Sequence, residues 1–372
     1  MSTAIGKPSA IDLPVDAQPD QGNSRFSPIT LRRWQIFRSS KRGYWSLWIF
    51  LVLFGASLLA EFIANDKPLL VQYKGEYYFP VLKTYSERSF GGYFEVEAEY
   101  ADRYVQDLIQ DSGGWMIWPL VPYNYQTIDL YLETPAPAPP SSAHWLGTDD
   151  GGRDILAKLI YGFRLSVVFG LILTICSSVI GITAGAIQGY FGGKVDLIAQ
   201  RFIEIWAGLP ILFVLIILAS IVESNVFWLL GILIVFGWMA LVGVVRAEFL
   251  RARNFEYIRA AKALGLGDFQ IMYKHVLPNA MVAALTFLPF ILNGSITLLT
   301  SLDFLGFGLP PESASLGRLL RQGNANLQAP WLGLTAVATI SMMLILLIFI
   351  GESVRNSFDP RRAMQATQPT SL

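Results

Sequence analysis

Reactive side chains are scarce in this sequence. The 372-residue chain has one cysteine, Cys176, and two histidines, His144 and His275. A single thiol closes no internal disulfide and builds no thiolate metal cluster. Cys176 lies inside an apolar block and reads as a small core residue. Charge is also sparse, at 15% of residues, where soluble domains carry about 25%. Net charge is zero, so the basic footprint that nucleic-acid binding requires is missing. There is no Gly-x-Ser-x-Gly elbow, no His-Glu-x-x-His pair and no phosphate-binding Gly-x-x-x-x-Gly-Lys-Ser/Thr loop. The chain is therefore read as a non-enzyme without a metal or cofactor of its own. A signal peptide places its short apolar region close to the start. Here about 40 polar residues come first, so the first apolar block is expected to stay as an anchor.

Apolar residues make up 53% of the chain, and mean hydropathy is +0.44. They fall in blocks of about 20 residues, the length that crosses a bilayer core of roughly 30 Å as a helix. Six blocks qualify: Tyr44–Ala64, Leu165–Gln188, Ile205–Val222, Val226–Val245, Ala280–Leu302 and Trp331–Gly351. The expected fold is an all-α polytopic bundle of six spans. Pro210 and Pro289 sit inside two of these blocks and are candidates for kinks. The resulting divisions are a tail over 1–43, a first span over 44–64, an insert over 65–163, a five-span core over 164–354 and a second tail over 355–372. The insert contains no apolar run long enough to span. Gln72–Val81 (QYKGEYYFPV) alternates and predicts a hairpin about Lys74-Gly75. Tyr100–Gln110 predicts one short helix, and Glu133–Ser142 (ETPAPAPPSS) a stiff connector.

Lys and Arg orient the bundle. With six spans, one side holds both tails, Tyr190–Arg201 and Arg246–Pro278, with 18 basic residues. The other side, with the insert and Asp303–Pro330, holds 9. The positive-inside rule makes both termini cytoplasmic and the acidic insert extracytoplasmic. In this topology His144 and His275 lie on opposite faces and share no site. Glu61, Glu204, Glu248, Asp303 and Glu352 fall at span ends, which is interfacial placement. Glu204 has Arg201 one turn earlier as a partner. Trp206, Trp228, Trp238 and Trp331 read as belt or packing residues. Pro289, Asn293, Ser295 and Thr297 put small polar groups in the fifth span and are candidates for lining a path, with helix contact as the alternative.

The segment 246–278 is long for a bundle loop. It reads VRAEFLRARNFEYIRAAKALGLGDFQIMYKHVLPNA from Val245 to Ala280. Two short helices are predicted, from Asn254 or Phe255 to Leu264 and from an Asp268 N-cap to Pro278, with Gly265 and Gly267 supplying the break. The pattern resembles the cytoplasmic loop of binding-protein-dependent ABC importer permeases. That family carries a Glu-Ala-Ala triplet followed at fixed spacing by Gly and then Leu-Pro. The match falls on Arg259, Ala260, Ala261, Gly265, Leu277 and Pro278, with Arg259 in place of the usual Glu. His144–Ser166 (HWLGTDDGGRDILAKLIYGFRLS) and Ser301–Leu320 (SLDFLGFGLPPESASLGRLL) are similar to segments of the dipeptide and oligopeptide permeases. There Asp303 and Leu316 stand for the usual Ser and Trp. VQYKGEYYFPV, FGGYF and GWMIWP are similar to YejE-type peptide permeases.

The resemblance implies a type I importer bundle in the bacterial inner membrane, working by alternating access. Its expected partners are ATP-binding subunits, a second permease subunit, a periplasmic solute-binding protein, a peptide-like substrate and membrane lipid. ATP would be bound by the partner alone. Tyr257, Arg259, Ala260, Ala261, Leu264, Gly265, Leu277 and Pro278 would dock on the ATPase, with the two alanines offering a narrow face to a groove. Two other classes are weighed. An ion-coupled carrier calls for inverted repeats and mid-membrane acids, and the sequence offers neither convincingly. An intramembrane hydrolase calls for a nucleophile and a base at one depth, which the histidine positions oppose.

Overall fold

Runs of apolar residues too long for a soluble core determine the architecture. A computed structural model describes residues 28–219, 221–222 and 225–358. The first 27 residues of the N-terminal tail, Glu223 and the C-terminal tail from Asp359 lie outside the described residues. The chain opens with α1 (Pro28–Ser39) and α2 (Lys41–Leu58). Four long helices follow the insert: α4 (Ile155–Phe191), α7 (Val226–Ala252), α9 (Asp268–Leu305) and α11 (Pro330–Phe358). They hold 27 to 38 residues each, about 40–57 Å at 1.5 Å per residue.

A further apolar helix pair is broken. Helix α5 (Gly193–Ala207) and α6 (Ile211–Ala219) meet at a 65° bend. Pro210 has no N–H to donate and pushes Leu209 out of the helical region. The bend falls at the kink candidate Pro210, and the helical stretch starts a dozen residues earlier than the Ile205–Val222 block expected from the sequence. Pro289 behaves differently, because α9 runs through it. Among the described residues four helices are long and apolar enough to cross a membrane, or five counting the bent pair as one span. Helix α2 falls short: it has 18 residues, opens on Lys41 and Arg42, and ends before a separate turn at Ala60–Ile63. It is packed into the bundle all the same. Phe50 joins Phe163, Met343 and Ile350 in one core cluster, and the hydroxyls of Ser40 and Ser353 lie 2.8 Å apart.

The insert is not purely helical. Strands β1 (Leu70–Tyr73) and β2 (Glu76–Tyr78) form the expected hairpin, with Tyr73 paired to Glu76. Lys74 and Gly75 both take positive φ, 49° and 85°, the primed turn that matches strand twist. β3 (Trp115–Ile117) pairs antiparallel on the other side of β1. Helix α3 (Arg103–Asp111) starts three residues later than expected, because Asp102 caps it by accepting a hydrogen bond from the Tyr104 N–H at 3.0 Å. Val71 and Tyr73 alternate onto Val105, Ile109 and Phe90, giving the unit its own small core.

A polar joint fixes this unit to α4. His144 is 3% exposed; its Nδ1 lies 2.9 Å from Asp154 and its Nε2 3.1 Å from Asp129. Tyr123 stacks on the imidazole at 4.3 Å. Asp154 also caps α4, accepting from the Ala157 N–H at 2.8 Å. Next to it, fully buried Asp149 accepts from the N–H groups of Gly151 and Arg153 and pairs with Lys158. The amide of Gln322, on α10 (Leu316–Ala325), reaches both Asp149 and Asp150. The segments His144–Ser166 and Ser301–Leu320 meet in space, with Ile155, Leu159 and Phe163 in one core cluster with Leu316 and Leu319. Asp303, at the end of α9, is 5% exposed rather than interfacial. It accepts from the Leu309 N–H at 2.6 Å and the Ser315 hydroxyl at 2.5 Å, and so folds the loop that precedes α10.

Helices α4 and α7 pack backbone against backbone. A Cβ on Gly181 would lie 2.3 Å from the Trp238 carbonyl oxygen, one on Gly185 2.7 Å from that of Val242, and one on Gly189 2.5 Å from that of Arg246. Three glycines four residues apart let the two backbones touch. Gly185→Leu is expected to lower the detergent melting temperature by roughly 5 °C or more through overpacking. Gly231→Leu, where a Cβ meets nothing within 4 Å, is the control expected to melt like wild type.

The joint also responds to pH. Burial opposes charge on His144, but hydrogen bonds and attraction from Asp154 and Asp129 outweigh it, so its pKa is raised above 6.5. A raised pKa adds stability that is complete below the unfolded value and lost as pH rises through the folded one. Amide exchange over residues 126–154 is expected to accelerate as pH climbs from about 6.5 through that raised value and to level off above it, after correction for intrinsic rates. His144→Gln should abolish this dependence.

Candidate functional site

After α7 the chain turns at Arg253 and forms α8 (Glu256–Ala263). Gly265 ends it with φ +83°, the left-handed position that a Cβ disfavours. Gly267 is extended at φ −67° and ψ 149° and occupies the N-cap position. Asp268 is therefore the first helical residue rather than the cap. The second short helix is also not separate: it continues through a π turn at Met272–Val276 into the long helix α9. Leu277 and Pro278 sit at that junction, where Pro278 cannot donate a backbone hydrogen bond.

Helix α8 has two faces. Ile258 and Ala261 are buried with Phe249, Ile271, Val276 and Tyr190. Tyr257, Ala260 and Leu264 face outward, spaced three and four residues apart. The two alanines therefore do not share the outer face, as the sequence suggested. Ala260 is exposed, and Ala261 packs inward. Leu264 and Phe269 are 80% and 81% exposed, too much apolar area to leave in water without a reason. Phe269 stacks on exposed Tyr273 at 6.3 Å. Sequence reading missed Phe269 and Tyr273; an aromatic pair at i and i+4 beside the glycine break was the available signal. Arg259 donates to the Asn254 carbonyl at 3.0 Å, closing the turn into α8.

The loop is tied to its neighbours by named groups. The Tyr190 hydroxyl at the end of α4 donates to Asp268 at 2.6 Å. Lys262 sits over the Tyr190 ring at 4.7 Å and lies 3.7 Å from Asp268. Arg246 makes a two-pronged pair with Asp196 on α5. Arg201 and Glu204 pair on α5 as expected, at 2.5 Å.

The four path candidates do not share one surface. Asn293 donates to the Leu344 carbonyl on α11 at 2.9 Å. Ser295 is buried with its hydroxyl 3.3 Å from that of Thr174 on α4. Thr297 is exposed and bonds back to the Asn293 carbonyl, and Pro289 is half-buried. Below Asn293, toward the loop, α7, α9 and α11 leave an open cavity of about 690 Å³. Its lining includes Glu248, Arg251, Asn279, Thr286, Glu352 and Arg355. Trp206 is a packing residue, donating to the Val235 carbonyl at 3.0 Å and stacking on Phe236 at 5.6 Å.

Long apolar helices around a tethered loop helix with one exposed face are the geometry of a membrane component. Residues 177–364 match the family model of the binding-protein-dependent transport system inner membrane component, and the chain belongs to that family. It is 60% identical to the inner membrane ABC transporter permease protein YejE of Escherichia coli K12, over 92% of this chain and all of that protein. It is 56% identical to the peptidoglycan transport system permease protein YejE of Agrobacterium fabrum, over 91% of this chain and 95% of that one. It is 35% identical to the oligopeptide transport system permease protein OppC of Lactococcus lactis subsp. lactis, over 63% and 80%. The chain is thus a permease component of an ABC transport system in the inner membrane and not an enzyme.

Tyr190→Phe keeps the ring under Lys262 and removes the hydroxyl that Asp268 accepts. A hydrogen bond of this kind contributes about 0.5–1.5 kcal/mol. Amide exchange over residues 256–271 is therefore expected to rise about three- to tenfold, with the global melting temperature unchanged.

Proposed function

We propose that this chain forms one half of a peptide importer's membrane pore and that α8 is the handle on which a separate ATPase subunit pulls. The carrying observation is the outward face of Tyr257, Ala260 and Leu264, with Phe269 and Tyr273 beside it, on a loop tied to α4 and α5. Ala261, Gly265, Leu277 and Pro278 shape the handle, and Arg259 closes the turn into it. ATP is bound by the partner, because the chain has no phosphate loop. ATP-driven closure of two ATPase subunits would move α8 and, through Asp268 and Tyr190, the end of α4.

In this reading α2 with the Ala60–Ile63 turn is the first of six spans and the bent α5–α6 pair the third. Both termini and the 246–278 loop are cytoplasmic, and the 65–163 insert is extracytoplasmic, as the Lys and Arg distribution requires. A second permease subunit completes the pore, and a periplasmic binding protein delivers cargo. The polar cavity below Asn293 opens on the loop side and suits a cargo exit, closed above by the Asn293–Leu344 hydrogen bond. Thr297 lies on the same helix above that closure, and Pro289 one turn below it. Peptide-like cargo follows from the names of the relatives, which specify oligopeptide in one case and peptidoglycan in another.

Co-expression with the ATPase subunit and co-purification in detergent test the handle. Ala260→Trp is expected to lose the ATPase while the chain still inserts and melts normally. Ala261→Trp is expected to lower the melting temperature, because that position is buried. An Ala260→Trp chain that retains the ATPase at wild-type stoichiometry would overturn the assignment.

A further inference from the structure

The N-terminal pair of helices carries a surface that transport and ATPase docking leave unused. Between Asp20 and Glu61 the sequence contains no acidic residue. Arg32, Arg33, Arg38, Lys41 and Arg42 all fall within that stretch. One side of α1 is fixed to α11. The Arg33 guanidinium sits over the Phe358 ring at 4.5 Å, Phe37 is buried, and Ser40 meets Ser353. The opposite side is exposed and mixed in character. Leu31, Trp34 and Arg38 follow one another at spacings of three and four on α1. Lys41, Trp45 and Trp48 do the same on α2, with Trp45 62% exposed.

Exposed indole and leucine beside arginine and lysine is the chemistry of a headgroup layer. Indoles settle at the boundary between acyl chains and water, and cations gain from phosphate negative charge. A zwitterionic headgroup would satisfy the tryptophans and leave the positive charge of Arg38, Lys41 and Arg42 unmatched. A protein partner would need an acidic and apolar groove running along both helices. We propose that α1 and the first turns of α2 form a binding surface for anionic phospholipid, with Trp34 at the glycerol level and Arg38, Lys41 and Arg42 on the phosphates.

The inference rests on the chain lying in a bilayer. It needs neither an ATPase nor cargo, so a failed docking test leaves it standing, and its own failure leaves the docking reading standing. The test uses the full chain purified in detergent, exposed to equal phosphatidylglycerol and phosphatidylcholine, with retained lipid read by native mass spectrometry. The wild type is expected to retain phosphatidylglycerol preferentially. Replacing Arg38, Lys41 and Arg42 by Gln together is expected to reduce that preference on the order of tenfold or more. A second measurement needs no triple variant. Raising NaCl to about 1 M, where screening extends only about 3 Å, should reduce the wild-type preference. In nanodiscs, brominated phosphatidylglycerol should quench wild-type fluorescence more than that of Trp34→Phe. Equal retention of the two lipids by wild type, an undiminished preference in the triple variant or in salt, or identical quenching in Trp34→Phe would each overturn the proposal.

Discussion

Helices in lipid gain little by hiding apolar side chains from each other, because the acyl chains outside are equally apolar. What remains is the closeness of contact, and α4 and α7 achieve it through Gly181, Gly185 and Gly189. With those carbons missing, the backbone of one helix lies on the carbonyls of the other. This contact sets the axial register of the pair. Register in turn decides which groups meet at the loop end. Tyr190 is one residue past the last seam glycine, and its hydroxyl meets Asp268 at the start of α9. Arg246, whose carbonyl abuts Gly189, reaches Asp196 from the same turn.

Helix α4 consequently works as a rod with both ends fastened. At one end Asp154 caps it while holding His144, and Asp149 anchors the preceding loop to Gln322. At the other end the Tyr190 hydroxyl donates to Asp268, and the Phe191 carbonyl accepts from Arg253. A rod of 37 residues spans about 55 Å. A displacement at α8 need not pass through a chain of soft side-chain contacts to be felt at the far face. It needs only to shift a helix whose flexing is limited by the glycine seam on one side and by Phe163, Val167 and Ile296 on the other.

Much of this was legible in the sequence, for definable reasons. Span positions follow from apolar block length, and the hairpin at Lys74-Gly75 from alternation around a residue pair suited to positive φ. The bend at Pro210 was marked by the ring itself. Other features escaped because they depend on partners distant in sequence. Nothing in the local pattern around Asp303 announces Leu309 and Ser315 as its donors, so an acid at a span end looked interfacial. Ala260 and Ala261 are identical in composition terms; only the orientation of α8 on Phe249 and Ile271 separates an outward residue from a buried one. The glycine seam was visible as a spacing of four, yet it lies in a block whose uniform hydrophobicity hides which side faces a neighbour. The shortness of α2 was masked because Lys41 and Arg42 were assigned to the preceding tail.

Arg259 brings these strands together. Where the related permeases usually carry a Glu, this loop has a guanidinium, and a charge reversal in a docking ion pair would be costly. The geometry removes the difficulty, because Arg259 turns back to the Asn254 carbonyl and serves the loop's own shape. The outward surface is then set by Leu264, Phe269 and Tyr273, and in the proposed docking their contribution would come from desolvation rather than from the sign of a charge. Apolar docking of this kind tolerates the substitution at the triplet, provided the loop beneath it is rigid. Rigidity is what the hydrogen bond from Tyr190 to Asp268 and the packing of Ala261 supply. The departure from the family pattern at one residue is thus absorbed by a division of labour: one face of α8 holds the loop to the bundle, and the other is left exposed for the docking proposed for it.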